Sequence, residues 1–224
     1  FQVSYEAGRA DGDRLTDTAV IAVVSGRARA LLMGERLALN LLQHLSGVAT
    51  AAHRLSAIAA PWGARLVDTR KTTPGMRRLE KYAVRVGGAA NHRLGLYDAM
   101  LIKDNHIKVA GGIPEAVRRA RAYAYHMTKI EVETKDMRQV AQALEAGADV
   151  IMLDDMDPGQ MAEAVRLIDH RAVVEASGGI NEQTLAAAAR CGVDVISVGA
   201  LTHSVRALDI SMDIGAIKGR FAAR

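Results

Sequence analysis

The spacing of the apolar runs constrains this chain more than any other feature. Four runs lie in its second half: Lys129-Ile-Glu-Val-Glu133, Val150-Ile-Met-Leu-Asp154, Ala172-Val-Val-Glu175 and Val193-Asp-Val-Ile-Ser-Val198. Their centres fall roughly 20 to 23 residues apart, which is room for a strand, a helix and short loops. Between them, Gln139–Glu145, Gly159–Ile168 and Asn181–Cys191 carry helical spacing. Upstream, Ala64-Arg-Leu-Val67 and Ala99-Met-Leu-Ile102 read as two earlier strands. Near-continuous apolar strands separated by helices imply a parallel sheet buried on both faces. Six of them fit a barrel or a doubly wound sheet. Polar residues at the strand ends favour the barrel: Lys71, Lys103, Glu133, Asp154, Ser177 and Gly199 all end or follow a strand. In (β/α) barrels that rim carries the chemistry.

The first 60 residues follow a different pattern. Leu15–Arg29 mixes glycine with β-branched residues and predicts short strands. Glu35–Ala60 has long helical periodicity, interrupted at Ser46-Gly47. The expected fold class is therefore α/β, an incomplete (β/α) barrel with a partial N-terminal α/β sandwich domain. The expected limits are 1–34 for the partial domain (its helix extending to 60 at most), 35–204 for the barrel, and 205–224 for a segment returning to the N-terminal domain.

Composition narrows the function. Of 224 residues, half are hydrophobic and 24% are charged, a globular balance. The single cysteine, Cys191, rules out a disulfide scaffold and points to a reducing compartment. Together with the lack of a leader-like opening, it makes the cytoplasm the expected location. No apolar run approaches the roughly 18 residues that a membrane span needs. The net charge is +4, yet Arg65–Lys108 alone holds ten Lys and Arg against four Asp and Glu. That segment has few aromatics (Tyr82, Tyr97), so base stacking is poorly served. The expected partner is an anionic small molecule, with neither nucleic acid nor membrane.

Several motifs lie on the expected rim. Asp68-Thr-Arg-Lys-Thr-Thr-Pro-Gly75 places Arg70 and Lys71 after a strand. An Arg there can take a carboxylate bidentately, and a Lys offers a compact charge. Asn91-His92-Arg93 follows the glycine-containing stretch Gly87–Ala90, which is expected to be flexible. Lys103-Asp-Asn-His106 follows an apolar run, where a lysine can bind an anion or form a Schiff base. His92 and His106 are candidates for titration near neutrality. Alternation puts Glu131 and Glu133 on one side of their strand. With Asp154, they suit either Mg²⁺ or a salt bridge to a barrel lysine. Glu175-Ala-Ser-Gly-Gly-Ile180 and Val198-Gly-Ala-Leu-Thr-His-Ser204 place glycines after two late strands, a recurrent phosphate-binding arrangement.

Taken together, these strings resemble the quinolinate phosphoribosyltransferase family. Glu80-Lys-Tyr-Ala-Val84, Gly34-Glu-Arg-Leu-Ala-Leu-Asn40 and His44-Leu-Ser-Gly47 match it too, so the resemblance spans about residues 15–215. It implies transfer of phosphoribose from phosphoribosyl pyrophosphate (PRPP) to quinolinate, with release of pyrophosphate and CO2 and formation of nicotinate mononucleotide for NAD synthesis. It also implies a homodimer, or a multiple of dimers, with a shared active site. By position, Arg70, Lys71, His92, Arg93 and Lys103 would surround quinolinate and PRPP, and Arg36 would reach a quinolinate carboxylate in the neighbouring subunit. Glu133 and Asp154 would hold the ribose and its Mg²⁺. Ser177, Gly178, Gly179, Gly199 and His203 would take the 5′-phosphate. The implied catalytic set is Lys71, Lys103, Glu133 and Asp154.

Two positions depart from the family pattern. Ala89 stands where a third glycine is usual, and Asp155 stands where many relatives have Asn. The N-terminal domain is also shorter than usual for the family. Two other readings compete with this one. The first is a Schiff-base aldolase built on Lys103, which needs a desolvated lysine. The second is a ligand-binding barrel without turnover.

Overall fold

The computed structural model describes residues 3–215. The chain forms two compact units: one within Phe1–Gly47 and Arg206–Arg224, the other Val48–Val205. Residues 216–224 of the expected C-terminal segment lie outside the described residues.

In the first unit, strands β1 (Val3–Ala7) and β2 (Ala22–Gly26) pair antiparallel, Tyr5 opposite Val24. Helix α1 runs from Ala28 to Ala59 without a break, so Ser46-Gly47 does not interrupt it. Gly47 is present for another reason. A Cβ on it would lie 2.3 Å from the Arg206 carbonyl oxygen, so only glycine admits the chain that packs there. Nearby, the Leu208 N–H donates to the Gln43 carbonyl over 3.1 Å and Gln43 Nε2 to the Ile210 carbonyl over 2.7 Å.

The second unit is a parallel sheet with α-helical crossovers. Its strands are β3 (Arg65–Val67), β4 (Met100–Ile102), β5 (Ile130–Thr134), β6 (Val150–Asp154), β7 (Val173–Ser177) and β8 (Val195–Ser197). The order is β3-β8-β7-β6-β5-β4, parallel throughout. The strands from β4 to β8 are laid down in one direction, and β3 continues beyond β8. A doubly wound sheet reverses at a switch point, and this one does not. β3 and β4 would be neighbours in a closed barrel, yet they are the two edges here, so the barrel is incomplete.

Ala90 forms a parallel bridge with Val67 beside β3. Its N–H donates to the Leu66 carbonyl at 2.9 Å, and the Asp68 N–H donates back to Ala90 at 3.3 Å. Gly87–Ala90 is thus pinned to a strand edge and is not a free loop. Ala89 is not among the left-handed residues, so its Cβ carries no backbone strain.

The crossovers are α2 (Arg77–Val86), α3 (Asp104–Ala110), α4 (Ile113–Tyr123), α5 (Met137–Glu145), α6 (Pro158–Ile168) and α7 (Leu185–Arg190), and the short α8 (Ala200–His203) follows β8. Aspartate side chains cap two of them. Asp136 accepts the Gln139 N–H at 2.8 Å, and Asp157 accepts that of Gln160 at 3.0 Å, with Pro158 in the first turn. α7 begins four residues later than its spacing suggested. Asn181 Oδ1 instead accepts the N–H groups of Gln183 and Thr184 and closes a turn.

Alternation along the strands separates two surfaces. Ile130, Val132, Ile151, Leu153, Val174, Ala176 and Ile196 are buried and apolar, and α4 to α7 pack on these strands. The opposite surface carries Glu131, Glu133, Asp154, Glu175 and Ser177, matched in register through Met152. Burial on both sides explains why the runs read as continuous apolar strands with single acidic interruptions.

Candidate active site

Every strand of the open barrel has a candidate residue at or just after its C-terminal end. Asp68 follows β3, Lys103 follows β4, and Glu133 lies near the end of β5. Asp154 and Ser177 close β6 and β7 and stand opposite each other in register. Gly199 follows β8.

The acidic side is built around two pairs. Lys103 Nζ lies 2.5 Å from Glu133 Oε2. This is the lysine salt bridge that the sequence left open beside the metal reading. Lys103 is ion-paired and 45% of its side chain is exposed, which disfavours the desolvated amine that a Schiff-base aldolase needs. Burial raises the Asp154 pKa above the usual carboxylate value, and the neighbouring Glu133 and Asp155 carboxylates raise it further. Asp155 itself is left-handed, φ 55°, a conformation that Asn and Asp both tolerate. Its side chain explains a glycine. A Cβ on Gly178 would lie 2.2 Å from Asp155 Oδ1 and 2.7 Å from the Asp155 main-chain nitrogen.

Gly178 and Gly179 are both left-handed, at φ 84° and 59°, and they follow Ser177 as a turn that lets a ligand approach the main chain. Across the rim, Gly199 packs against two cationic candidates. Its absent Cβ would lie 3.1 Å from both Lys71 Cδ and His203 Nε2. Thr202 Oγ1 donates to the Lys71 carbonyl at 2.8 Å, which joins the β8–α8 loop to the β3–α2 loop.

The cationic side is held by a buried network that the sequence did not announce. Lys81, on α2, pairs with Asp68, and both are buried. Lys81 Nζ also donates to the His92 carbonyl at 2.9 Å. The two Asp68 oxygens accept the His92 N–H at 2.8 Å and Asn91 Nδ2 at 2.7 Å. Arg77 donates to the carbonyls of Arg70 and Leu94 and to Thr72 Oγ1, and Glu80 accepts the Thr73 N–H. The only sequence signal for Glu80 and Lys81 is their place in the Glu80–Val84 string; on a helix that also carries Arg77, Arg78 and Arg85, nothing marks them as buried.

Arg93 is half-buried, and Nη1 donates to the Ala99 carbonyl at 3.1 Å. Burial and the nearby Arg70 lower its pKa, while Glu131 and Asp98 raise it. His92 points its ring inward. Nε2 lies 3.2 Å from Glu131 Oε2 and 3.6 Å from Glu175 Oε2. Burial disfavours a charged ring, but the two carboxylates outweigh it and push the pKa up to about 10. Nδ1 nevertheless accepts the Arg93 N–H at 2.7 Å, a contact open only while Nδ1 carries no proton. His106, the other candidate for titration, accepts the Lys103 N–H at 2.9 Å and caps α3.

The second unit thus brings together Arg70, Lys71, His92, Arg93, Lys103, Glu133, Asp154, Ser177, Gly178, Gly179, Gly199 and His203 around one barrel end. Arg36 belongs to the first unit. It is exposed on α1, 3.7 Å from Glu35.

A barrel end with cations on one side, carboxylates on the other and two glycine loops on consecutive strands defines an enzyme for anionic, phosphorylated small molecules. The family is given by comparison. The model of the quinolinate phosphoribosyl transferase C-terminal domain matches residues 48–213, and that of the N-terminal domain matches residues 2–46. The chain belongs to the quinolinate phosphoribosyltransferase family. It is 51% identical over 204 residues to a protein of Bacillus subtilis named probable nicotinate-nucleotide pyrophosphorylase (carboxylating), covering 91% of this chain and 71% of that one. The human nicotinate-nucleotide pyrophosphorylase (carboxylating) is 43% identical over 209 residues, covering 91% and 70%. The crystal structure of NadC from Streptococcus pyogenes superposes with a TM-score of 0.90 at 42% identity, covering 95% of this chain and 75% of that one.

Proposed function

We infer that this chain is a nicotinate-nucleotide pyrophosphorylase (carboxylating), a pentosyltransferase. It transfers phosphoribose from PRPP to quinolinate with decarboxylation, giving nicotinate mononucleotide, pyrophosphate and CO2 in NAD biosynthesis. The observation that carries this reading is the division of one rim into a cationic side (Arg70, Lys71, Arg93), an acidic side (Glu133, Asp154) and a glycine turn (Gly178-Gly179).

Arg70 and Arg93 take the quinolinate carboxylates, and Lys71 and Lys103 lie toward the pyrophosphate. Ser177, Gly178, Gly179, Gly199 and His203 take the 5′-phosphate. The pyridine nitrogen attacks ribose C1 as the C1–O bond to pyrophosphate breaks. The C2–carboxylate bond then breaks, CO2 leaves, and the electron pair remaining at C2, stabilised by the pyridinium, takes a proton from solvent. The residues act by positioning and by fixed charge.

Magnesium fits Glu133 and Asp154, since both offer hard oxygen donors. Burial first, and then the Glu133 and Asp155 carboxylates, raise the Asp154 pKa, and a divalent cation would offset the carboxylate part of that. When bound, the ion supplies charge neutralisation for the pyrophosphate. Arg36 completes the quinolinate end from a second subunit, so the active species is a homodimer or a multiple of dimers. The cytoplasm is the proposed location. Among the described residues no helix is long and apolar enough to cross a membrane.

The test is product formation from quinolinate and PRPP, followed by chromatography, with nicotinate as the alternative acceptor and with the metal removed by chelator. Nicotinate mononucleotide from quinolinate alone, lost with chelator and restored by Mg²⁺, supports the reading. Equal use of nicotinate, or no product from folded protein, contradicts it.

A further inference from the structure

Lys135 is the first residue beyond β5, at the barrel end where the site lies. Thr134, just before it, is fully buried and stands opposite Leu153 in register. Its Oγ1 donates to the Met152 carbonyl at 2.8 Å. The Lys135 N–H donates to Gln139 Oε1, also at 2.8 Å. The main chain is thus pinned, while the side chain is 53% exposed. Its ion-pair partner among the described residues is Asp104, at 3.7 Å, and Asp104 also lies 3.6 Å from Lys108. An exposed pair of this kind is worth little. Lys103, by contrast, is held by Glu133 at 2.5 Å. Burial and the Glu133 and Asp155 carboxylates raise the Asp154 pKa, and the ammonium groups of Lys103 and Lys135 both act against that rise. The acidic side therefore has two lysines within electrostatic reach of Asp154. One is committed to a carboxylate, and the other is loosely tethered.

We propose that Lys135 is a further binding residue and that its ligand is a pyrophosphate group. Its ammonium leaves Asp104 and meets the pyrophosphate of PRPP, and of the released product, beside Asp154. The inference rests on reading this rim as the PRPP site. A pyrophosphate carries more negative charge than Lys103 can balance while that lysine serves Glu133. Lysine suits the task, being a compact cation on a flexible four-carbon stem. Exchanging one exposed carboxylate for a more highly charged anion favours the move. Until the substrate arrives, Asp104 keeps the ammonium at the rim.

The test is binding of inorganic pyrophosphate, with and without Mg²⁺, by calorimetry at fixed ionic strength. Steady-state kinetics with each substrate varied in turn runs beside it. Lys135→Met keeps the stem and removes the charge, whereas Lys135→Arg keeps the charge. Lys135→Met should raise the pyrophosphate Kd and the KM for PRPP about fivefold or more, with KM for quinolinate within about twofold. Lys135→Arg should recover most of the loss. Lys108→Ala removes the other cation beside Asp104 and should change the pyrophosphate Kd by no more than about twofold. Asp104→Asn frees Lys135, so it should tighten pyrophosphate in the wild-type background and not in Lys135→Met. A pyrophosphate Kd that Lys135→Met changes by less than about twofold, or an equal loss in Lys108→Ala, overturns the proposal. So does the same gain from Asp104→Asn in both backgrounds, or wild-type protein that does not bind pyrophosphate. Wild-type protein that binds pyrophosphate with this dependence on Lys135, but forms no nicotinate mononucleotide, overturns the assignment of the reaction, a failure distinct from that of Lys135.

Discussion

Thr202 Oγ1 donates to the Lys71 carbonyl oxygen over 2.8 Å, and that bond ties the loop after β8 to the loop after β3. Thr202 is 1% exposed, so water cannot replace it. Thr202→Val keeps the shape and leaves the carbonyl unpaired. The expected loss is about 1–3 kcal/mol in denaturant unfolding. KM for PRPP should rise and KM for quinolinate change little, since Lys71 lies beside Gly199 and His203.

Gly178 and Gly75 form a matched pair of left-handed glycines, at φ 84° and 77°. A Cβ at Gly178 runs into Asp155, whereas one at Gly75 meets nothing within 4 Å. Gly75→Ala should cost only the backbone strain, of order 1–3 kcal/mol. Gly178→Ala should cost more and should also weaken PRPP binding, read by calorimetry. Equal costs at the two positions would show that the Asp155 contact is not restrictive.

Lys81→Met leaves Asp68 buried and without its cation. Breaking a buried pair in this way costs about 3–5 kcal/mol, which urea titration will read directly. The loss should exceed that of Lys108→Met, since the Lys108–Asp104 contact is an exposed pair of small value.

Arg93→Ala and Lys103→Ala remove cations from the site and not from the core. Turnover should fall by about 10²- to 10³-fold, with the melting temperature nearly unchanged. Unchanged kinetics in either variant removes that residue from the site.

The fold was legible where burial on both faces wrote it into the chain. β5 to β8 fall within a few residues of their apolar runs because helices cover one side and the barrel interior the other. β1 was not legible. All five of its residues are exposed, and Ser4, Tyr5 and Glu6 carry no core signal. Gly47 misled because glycine marks either a helix end or a close backbone contact, and only the position of Arg206 distinguishes the two. Gly87–Ala90 read as flexible because nothing local in the sequence shows that Val67 borders an open sheet edge. The rim residues could be read from their place at strand ends. The Asp68–Lys81–Asn91 network and the Glu131–His92–Glu175 cluster could not, because each joins elements far apart in the sequence.

The most direct test of the central claim follows the carboxylate that is lost. Quinolinate labelled with 13C at its 2-carboxylate is incubated with the protein, PRPP and Mg²⁺, and labelled CO2 is measured against pyrophosphate. The account predicts equal amounts of the two products, and no labelled CO2 when PRPP is omitted. Labelled CO2 released without PRPP, or pyrophosphate formed while the label stays on the ring, would contradict it.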